Sequence, residues 1–430
     1  MQYELTDKQS YAFDSLKNGH NVFLTGPAGS GKTYLLKIFI EWFINYRQND
    51  NEKIYITSTT GLSALLIDGM TINRYSGIGT GDKSVEDYFK KIMKMIHIKK
   101  RWLSTKVLII DEISMMNPDT FDKLEILAQK IRKNNAPFGG IQVILSGDFL
   151  QLPPINCQNF CFDSFSWQFV IHKTIYFDKI VRQQDIRLQN ILNNIRIGSV
   201  NDDVKEILNN CLNKDLSNSD GIVPTLLYSR KNMVYEYNML ELNKLINEHT
   251  LENHYYQSYF EFGKNIKEES KDFLKDLLNS QYQVEDSIKL SVQTQVMLTV
   301  NIPEFGLANG SRGIITGFSS NNFPIVLFMN NQKLEITFHE YLLDEGGQTV
   351  KKFQIPLIHA WAITIHKAQG MTLEFLKTDI GSSIFEYGQA YVVLSRIKNL
   401  DGLSLINIDY SKIKAHPKIL KYYEELSLSK

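Results

Sequence analysis

Short apolar runs alternate with amphipathic stretches through the first half of the chain. Val22 to Leu24, Lys53 to Thr57, Val107 to Ile110 and Ile141 to Leu145 read as strands, and the stretches Tyr34 to Tyr46 and Pro118 to Lys133 read as helices. This rhythm predicts a parallel sheet covered on both faces. A second set of runs, Thr225 to Tyr228, Gln295 to Leu298, His359 to Thr364 and Leu403 to Ile406, predicts a second unit of the same kind. Between Asn309 and Phe353 the pattern changes to short β-like runs, Gly313 to Phe318, Ile325 to Met329 and Leu334 to Phe338, separated by Gly and Asn turns. That segment reads as a small β insertion. Residues 246 to 288, mixed in charge and rich in Tyr and Phe, give no readable period.

Composition adds limits rather than chemistry. With 430 residues, 43% hydrophobic and 22% charged, the chain is an ordinary globular protein large enough for two to four structural units. Lys+Arg and Asp+Glu both total 47, so no global positive field draws it to nucleic acid or to an acidic membrane. Any such site has to be a local groove. The densest local candidate spans residues 82 to 106, where Lys90, Lys91, Lys94, Lys99, Lys100, Arg101 and Lys106 are interleaved with Tyr88, Phe89 and Trp102. A solvated helix face explains the same pattern. No apolar stretch approaches the ~20 residues of a membrane span, and MQYELTDKQS lacks the basic and apolar regions of a signal peptide. The expectation is a soluble, intracellular protein, with nucleus, cytoplasm and viral replication site left open. Cys157, Cys161 and Cys211 make no zinc set and are expected to be ordinary thiols.

GPAGSGKT, residues Gly26, Pro27, Ala28, Gly29, Ser30, Gly31, Lys32 and Thr33, fills the GxxxxGK[ST] phosphate-loop pattern, with the Val22 to Leu24 run leading into it. The glycines let backbone N–H groups turn toward phosphate oxygens. Lys32 neutralises β and γ phosphates, and the Thr33 hydroxyl ligates Mg²⁺. A helix starting there aims its positive end at the anion. The run Val107 to Ile110 then delivers Asp111 and Glu112 at a strand's C-terminal end, where α/β sheets place ligands. Asp111 is suited to hold Mg²⁺ through its water shell and Glu112 to polarise the attacking water as general base. Gln151, in SGDFLQLPP, is positioned to reach the γ phosphate. A nucleoside triphosphatase follows from these residues; what its hydrolysis serves does not.

The purpose comes from a resemblance. DEISM (Asp111 to Met115), GDFLQLPP (Gly147 to Pro154), TIHKAQGMTLE (Thr364 to Glu374) and VVLSR (Val392 to Arg396), in this order after the phosphate loop, resemble superfamily 1B DNA helicases, and within them the PIF (petite integration frequency) family. LTDKQ (Leu5 to Gln9) is similar to an adenine-reading Q motif, and TSTTGLSA (Thr57 to Ala64) resembles motif Ia. VRQQD, QVMLTVN and GLANGSRGIITGF continue the match nearly end to end. The resemblance implies a complete motor that moves 5′ to 3′ on single-stranded DNA with ATP and Mg²⁺. In it Gln9 reads adenine, and Arg182 and Arg396, taken from the second domain, reach the γ phosphate. It also implies that Ser58, Thr60, Thr71, Thr364, His366 and Lys367 line the single-strand track, a task suited to hydroxyls and backbone amides because phosphate contacts position without reading sequence. At Asn73 many relatives carry His, and no role is carried onto it.

The implied architecture is α/β, with two RecA-like P-loop domains built on parallel sheets. The first spans 1–75 and 107–180, a wedge-like insertion 76–106, the second domain 181–308 and 354–430, and an SH3-like β insertion 309–353. The expected partners are single-stranded and forked duplex DNA, in replication, repair or recombination, with a monomer sufficient for the motor. Three other readings compete: the helicase subunit of a recombination nuclease; a single-strand-binding scaffold with a vestigial ATPase, against which the intact Lys32, Asp111, Glu112, Arg182 and Arg396 argue; and an ATPase switch unrelated to DNA, against which the second-domain motifs argue.

Overall fold

A computed structural model of the chain describes residues 5–46, 52–79, 81–154, 157–183, 185–216, 223–228, 230–249, 253–263, 266–282, 284–307, 309–345, 348–369 and 371–428. They form two compact units. The first draws on residues 1–199, 386–395 and 413–430, and the second on 200–385 and 396–412.

In the first unit, six strands form one sheet: β1 (Val22–Thr25), β2 (Lys53–Ser58), β3 (Met70–Thr71), β4 (Thr105–Asp111), β5 (Gln142–Gly147) and β6 (Lys173–Tyr176). Every pairing is parallel, in the order β3-β2-β4-β5-β1-β6. The central strands are apolar at successive positions because both faces are covered. Val107 and Ile109 point to one core with Leu35, Phe39, Ala12 and Leu16 from helices Lys32–Tyr46 and Asp7–Lys17. Leu108 and Ile110, one residue out of phase, join the opposite core with Phe121 and Leu124 from helix Pro118–Arg132. Parallel pairing brings the C-terminal ends of β1, β4 and β5 to one edge of the sheet.

The basic and aromatic segment forms two short helices, Val85–Lys94 and Ile96–Ser104. Tyr88 and Trp102 are buried in the same core as Tyr75, and the Trp102 indole N–H donates to the Ser76 carbonyl at 3.1 Å. The aromatic residues are therefore packing groups, and Lys90, Lys91, Lys94 and Lys100 form an exposed face.

The boundary expected between residues 180 and 181 falls instead after Ser199. Hydrogen bonding explains the shift. Val181 and Arg182 N–H both donate to the Gly29 carbonyl, and Arg196 is buried against Asp148. The segments 386–395 and 413–430, expected in the second domain, also belong to the first unit. Helix Pro417–Leu428 stacks Tyr422 on Phe162 and lays it edge-on to Phe149.

The second unit has a four-stranded parallel sheet, in spatial order Ala362–Thr364, Thr225–Tyr228, Leu376–Ile380 and Leu403–Ile408. Leu376–Ile380 escaped the sequence reading because Lys377 and Asp379 interrupt its apolar run. Gln295–Leu298, expected in this sheet, pairs antiparallel with Arg312–Phe318 and Leu357–His359. Four consecutive buried residues look alike in either kind of sheet. The run His359 to Thr364 is likewise two strands in two sheets, parted at Ala360 and Trp361.

The antiparallel part also extends beyond residues 309–353. His254–Gln257 pairs with Ser287–Leu290, and Tyr259–Phe262 joins Gln348–Gln354. The unreadable stretch thus supplies strands, with helix Glu268–Tyr282 between them. Among the described residues, no helix is long and apolar enough to cross a membrane.

Candidate active site

β1 ends at the buried Thr25 and the chain turns through Gly26 at φ +142°, where a Cβ would fall inside contact distance of the Phe177 carbonyl oxygen. Phe177 N–H donates back to the Thr25 carbonyl at 2.8 Å, so the base of the loop is fixed by the chain leaving β6. Lys32 begins the following helix, and its Nζ donates to the Gly26 and Pro27 carbonyls at 2.8 and 2.9 Å. Burial lowers the Lys32 pKa, while Asp148, Glu112 and Asp111 oppose the shift. One ammonium thus sits within the field of three carboxylates, and Thr33 follows it in the first helical turn. Gln9 lies over the other side of the loop. Its Oε1 accepts from Thr6 N–H at 3.0 Å in a capping box, and its Nε2 occupies the space that a Cβ on Gly31 would need.

Asp111 ends β4 opposite Ser58 of β2. Burial raises its pKa, opposed by the Glu112 N–H, which donates to Asp111 Oδ1 at 2.9 Å, and by the Lys32 charge. Glu112 adopts φ 53°, ψ 43°, a left-handed conformation rare for a residue with a side chain. The neighbouring strand end holds this turn: Ser58 Oγ donates to the Asp111 carbonyl at 3.1 Å and Thr59 Oγ1 to the Glu112 carbonyl at 2.9 Å. Gln151 is buried, its N–H donating to the Asp148 carbonyl at 2.9 Å.

Arg182 is held to the phosphate loop by its own backbone. Val181 and Arg182 N–H donate to the Gly29 carbonyl at 2.8 and 3.1 Å. A Cβ on Gly29, whose φ is +79°, would lie 2.7 Å from Arg182 Cβ. Burial lowers the Arg182 pKa, and the Glu112 charge pulls against it. Arg182 was expected in the second domain; it belongs to the first unit, beside the loop and Glu112. Arg396 is the residue that lies in the second unit, where it is buried and its carbonyl accepts from Leu373 N–H at 2.8 Å.

Three more residues here were not singled out in the sequence. The Asp148 carboxylate takes a two-pronged bond from Arg196, and the Tyr423 hydroxyl lies 3.2 Å from Asp148 Oδ1 and 2.7 Å from Thr25 Oγ1. Asp148 sits inside GDFLQLPP, so a signal was present for it. Arg196 and Tyr423 lie in ordinary helical sequence and had none.

Residues assigned to a single-strand track have varied surroundings. Ser58 has no exposed surface, and its hydroxyl is spent on the Asp111 carbonyl. Thr60 bonds Ser63 Oγ at 2.7 Å, and Thr71 caps helix Ile72–Ser76. Thr364 Oγ1 accepts from Lys367 N–H at 3.1 Å. Thr364 and Lys367 share a cavity of about 580 Å³ with Lys231, Tyr235, Glu285 and His359. Burial lowers the Lys367 pKa, Glu285 opposes this and Lys231 adds to it. The side chain of His366 lies outside the described residues.

The sequence profile described as PIF1-like helicase matches residues 4–209. The chain is 37% identical over 433 residues to the ATP-dependent DNA helicase PIF1 of Xenopus laevis, covering 99% of this chain and 65% of that protein. It therefore spans just under two thirds of that relative's length. Among solved structures, the Pif1 helicase from Candida albicans superposes with a TM-score of 0.82 at 32% identity, covering 99% of this chain and 100% of that one. The Bacteroides Pif1 helicase in complex with ADP-AlF3 and ssDNA superposes with a TM-score of 0.67 at 27% identity, covering 100% and 98%.

Proposed function

This chain belongs to the PIF1-like helicase family, and from that premise we propose that it is an ATP-dependent DNA helicase that translocates 5′ to 3′ on single-stranded DNA and opens forked duplex. The observation that carries the proposal is the convergence of Lys32, Asp111, Glu112 and Arg182 around one phosphate loop. Gln9, oriented by its capping box, faces the adenine. Loop amides and Lys32 hold the phosphates. The Glu112 carboxylate takes the proton of the attacking water as its oxygen closes on the γ phosphorus and the bond to the ADP oxygen breaks. Gln151 contacts the γ phosphate. Arg182, with Arg396 as a second arginine, neutralises charge that develops on the transferred group, an effect worth about 10³-fold or more in rate.

Mg²⁺ suits these donors. Thr33 offers a hydroxyl and Asp111 a carboxylate, hard oxygen ligands for an ion that completes its shell with water and phosphate oxygens. Among the described residues no cluster of three or more His, Cys, Asp or Glu side chains forms a separate metal cage. Bound there, Mg²⁺ would neutralise phosphate charge.

On the DNA side, Lys367 and Thr364 lie at the C-terminal edge of the second parallel sheet, where α/β sheets receive ligands. Thr60, Thr71 and His366 complete the proposed track, which serves replication, repair or recombination as a monomeric motor. The test is ATPase activity with and without single-stranded DNA, followed by unwinding of duplexes with a 5′ or a 3′ tail. DNA-stimulated hydrolysis and a 5′-tail requirement are expected. Absence of stimulation defeats the motor, and preference for a 3′ tail defeats the direction.

A further inference from the structure

Three sets of hydrogen bonds close a circuit around the phosphate loop within the first unit. Ala28 N–H donates to the Tyr391 hydroxyl at 2.7 Å. Val181 and Arg182 N–H donate to the Gly29 carbonyl. Gln183 Nε2 donates to the Ser395 carbonyl at 3.2 Å. The loop, the strip Val181 to Gln183 and helix Gln389–Leu394 with Ser395 therefore each brace the other two. The side chains that close it are enclosed: Tyr391 and Gln183 are 1% exposed and Ala28 is 6% exposed. A phenol oxygen bonded to a loop amide is a specific arrangement, because apolar packing alone would be met by phenylalanine. Ala28 also lies between Gly26, where the loop turns, and Gly29, which holds Arg182.

We propose that Tyr391 is a positioning residue for phosphoryl transfer: its hydroxyl fixes the Gly26 to Gly29 half of the phosphate loop and, through Gly29, the place of Arg182. The inference rests on the ATPase reading above and adds a residue to it. The two halves of the loop then have different tasks. Gly31, Lys32 and Thr33 belong to the helix start and grip a nucleotide whether or not the γ phosphorus is reacting. Arg182 matters most when charge builds on the transferred group, so an error in its position appears in the transition state more than in ground-state binding. Displacements near 1 Å at such a site reduce rate about 10²-fold.

The test is Tyr391→Phe in the full chain, which keeps the ring and removes the oxygen. Three quantities are measured: DNA-stimulated kcat, KM for ATP, and the affinities for ADP alone and ADP with aluminium fluoride. The expected result is a kcat lowered about 10-fold or more with KM changed less than about 3-fold. ADP should bind as in the parent, while ADP with aluminium fluoride weakens in proportion to kcat. Should Tyr391→Phe melt without cooperativity, Gln183→Leu, which opens the circuit at Ser395, carries the same measurement. Unchanged kcat, or equal weakening of both nucleotide complexes, overturns the positioning role alone. A parent chain that hydrolyses no ATP overturns the ATPase reading and this inference together.

Discussion

Arg196 and Asp148 form a forked ion pair in the interior of the first unit, with Nε and Nη2 of the arginine 2.9 and 2.8 Å from the two carboxylate oxygens. Burial alone would lower the arginine's pKa, yet Asp148 lifts it well above the ordinary value. The guanidinium also donates to the Tyr176 hydroxyl at 3.0 Å and lies 5.1 Å from the centre of the Tyr423 ring. Removing one partner strands the other charge in a low-dielectric interior. Arg196→Ala is therefore expected to destabilise the first unit by about 3–5 kcal/mol, whereas replacing both residues by apolar side chains of similar volume should cost much less. Urea unfolding of the single and double variants checks this, and equal losses would contradict the stranded-charge account.

Gly29→Ala should impair turnover without preventing folding of the distant core. Its φ of +79° is costly for any side chain, and the new Cβ would meet Arg182 Cβ at 2.7 Å. The loop would have to part from the arginine strip, so kcat should fall by about 10-fold or more. Thermal melting of the variant distinguishes this local effect from loss of the fold.

How this site reads from sequence depends on the scale of each signal. Lys32, Asp111 and Glu112 were legible because a phosphate loop and a strand ending in two acids are local patterns, each needing only its neighbours in the chain. The parallel sheet around them was legible for the same reason: Val107 to Ile110 and Ile141 to Leu145 are apolar at successive positions. Arg196 and Tyr423 were not, because their meaning comes from Asp148, 48 and 275 residues away. Tyr391 adjoined a recognised motif, but only the 2.7 Å bond to Ala28 gives its hydroxyl a task. The assignment of Gln295–Leu298 failed because burial pattern does not encode the direction of the partner strand.

Glu112→Gln and Lys32→Ala are expected to abolish ATP hydrolysis while leaving single-strand binding intact. Removing the base should lower kcat by about 10²-fold or more. Lys32→Ala should also weaken nucleotide binding, since its ammonium is the loop's own cation. ATP turnover beside fluorescence anisotropy of a labelled oligonucleotide separates the two. Rapid hydrolysis by Glu112→Gln would remove Glu112 from the role of base.

Asp111 gives a pH prediction with a definite sign. Burial raises its pKa in the folded chain, so the folded state holds its proton to higher pH than the unfolded state does. Through the window between the ordinary carboxylate pKa and the raised one, the folded state binds more protons, and stability falls as pH rises. Activity runs the other way, because the ionised carboxylate is the form that attracts a cation. Asp111→Asn should therefore melt at a higher temperature than the parent at neutral pH and lose ATPase activity. A lower melting temperature with lost activity would indicate that the charge contributes to folding.

Ser58 and Lys367, both assigned to the proposed single-strand track, differ in what they are expected to do: Ser58 supports the phosphate-loop site, and Lys367 is proposed to contact phosphate. Ser58 has no exposed surface and donates to the Asp111 carbonyl at 3.1 Å, so Ser58→Ala should lower stability by about 1 kcal/mol and leave DNA affinity within about 2-fold. Lys367 lies in the cavity that also holds Thr364 and Lys231. One phosphate contact there implies that Lys367→Ala weakens binding to all sequences alike and reduces the slope of log affinity against log salt by about 1. Oligonucleotide titrations across a salt series read both quantities. If Ser58→Ala changes the salt slope and Lys367→Ala does not, the strand runs over the first unit at Ser58 and not through the cavity in the second.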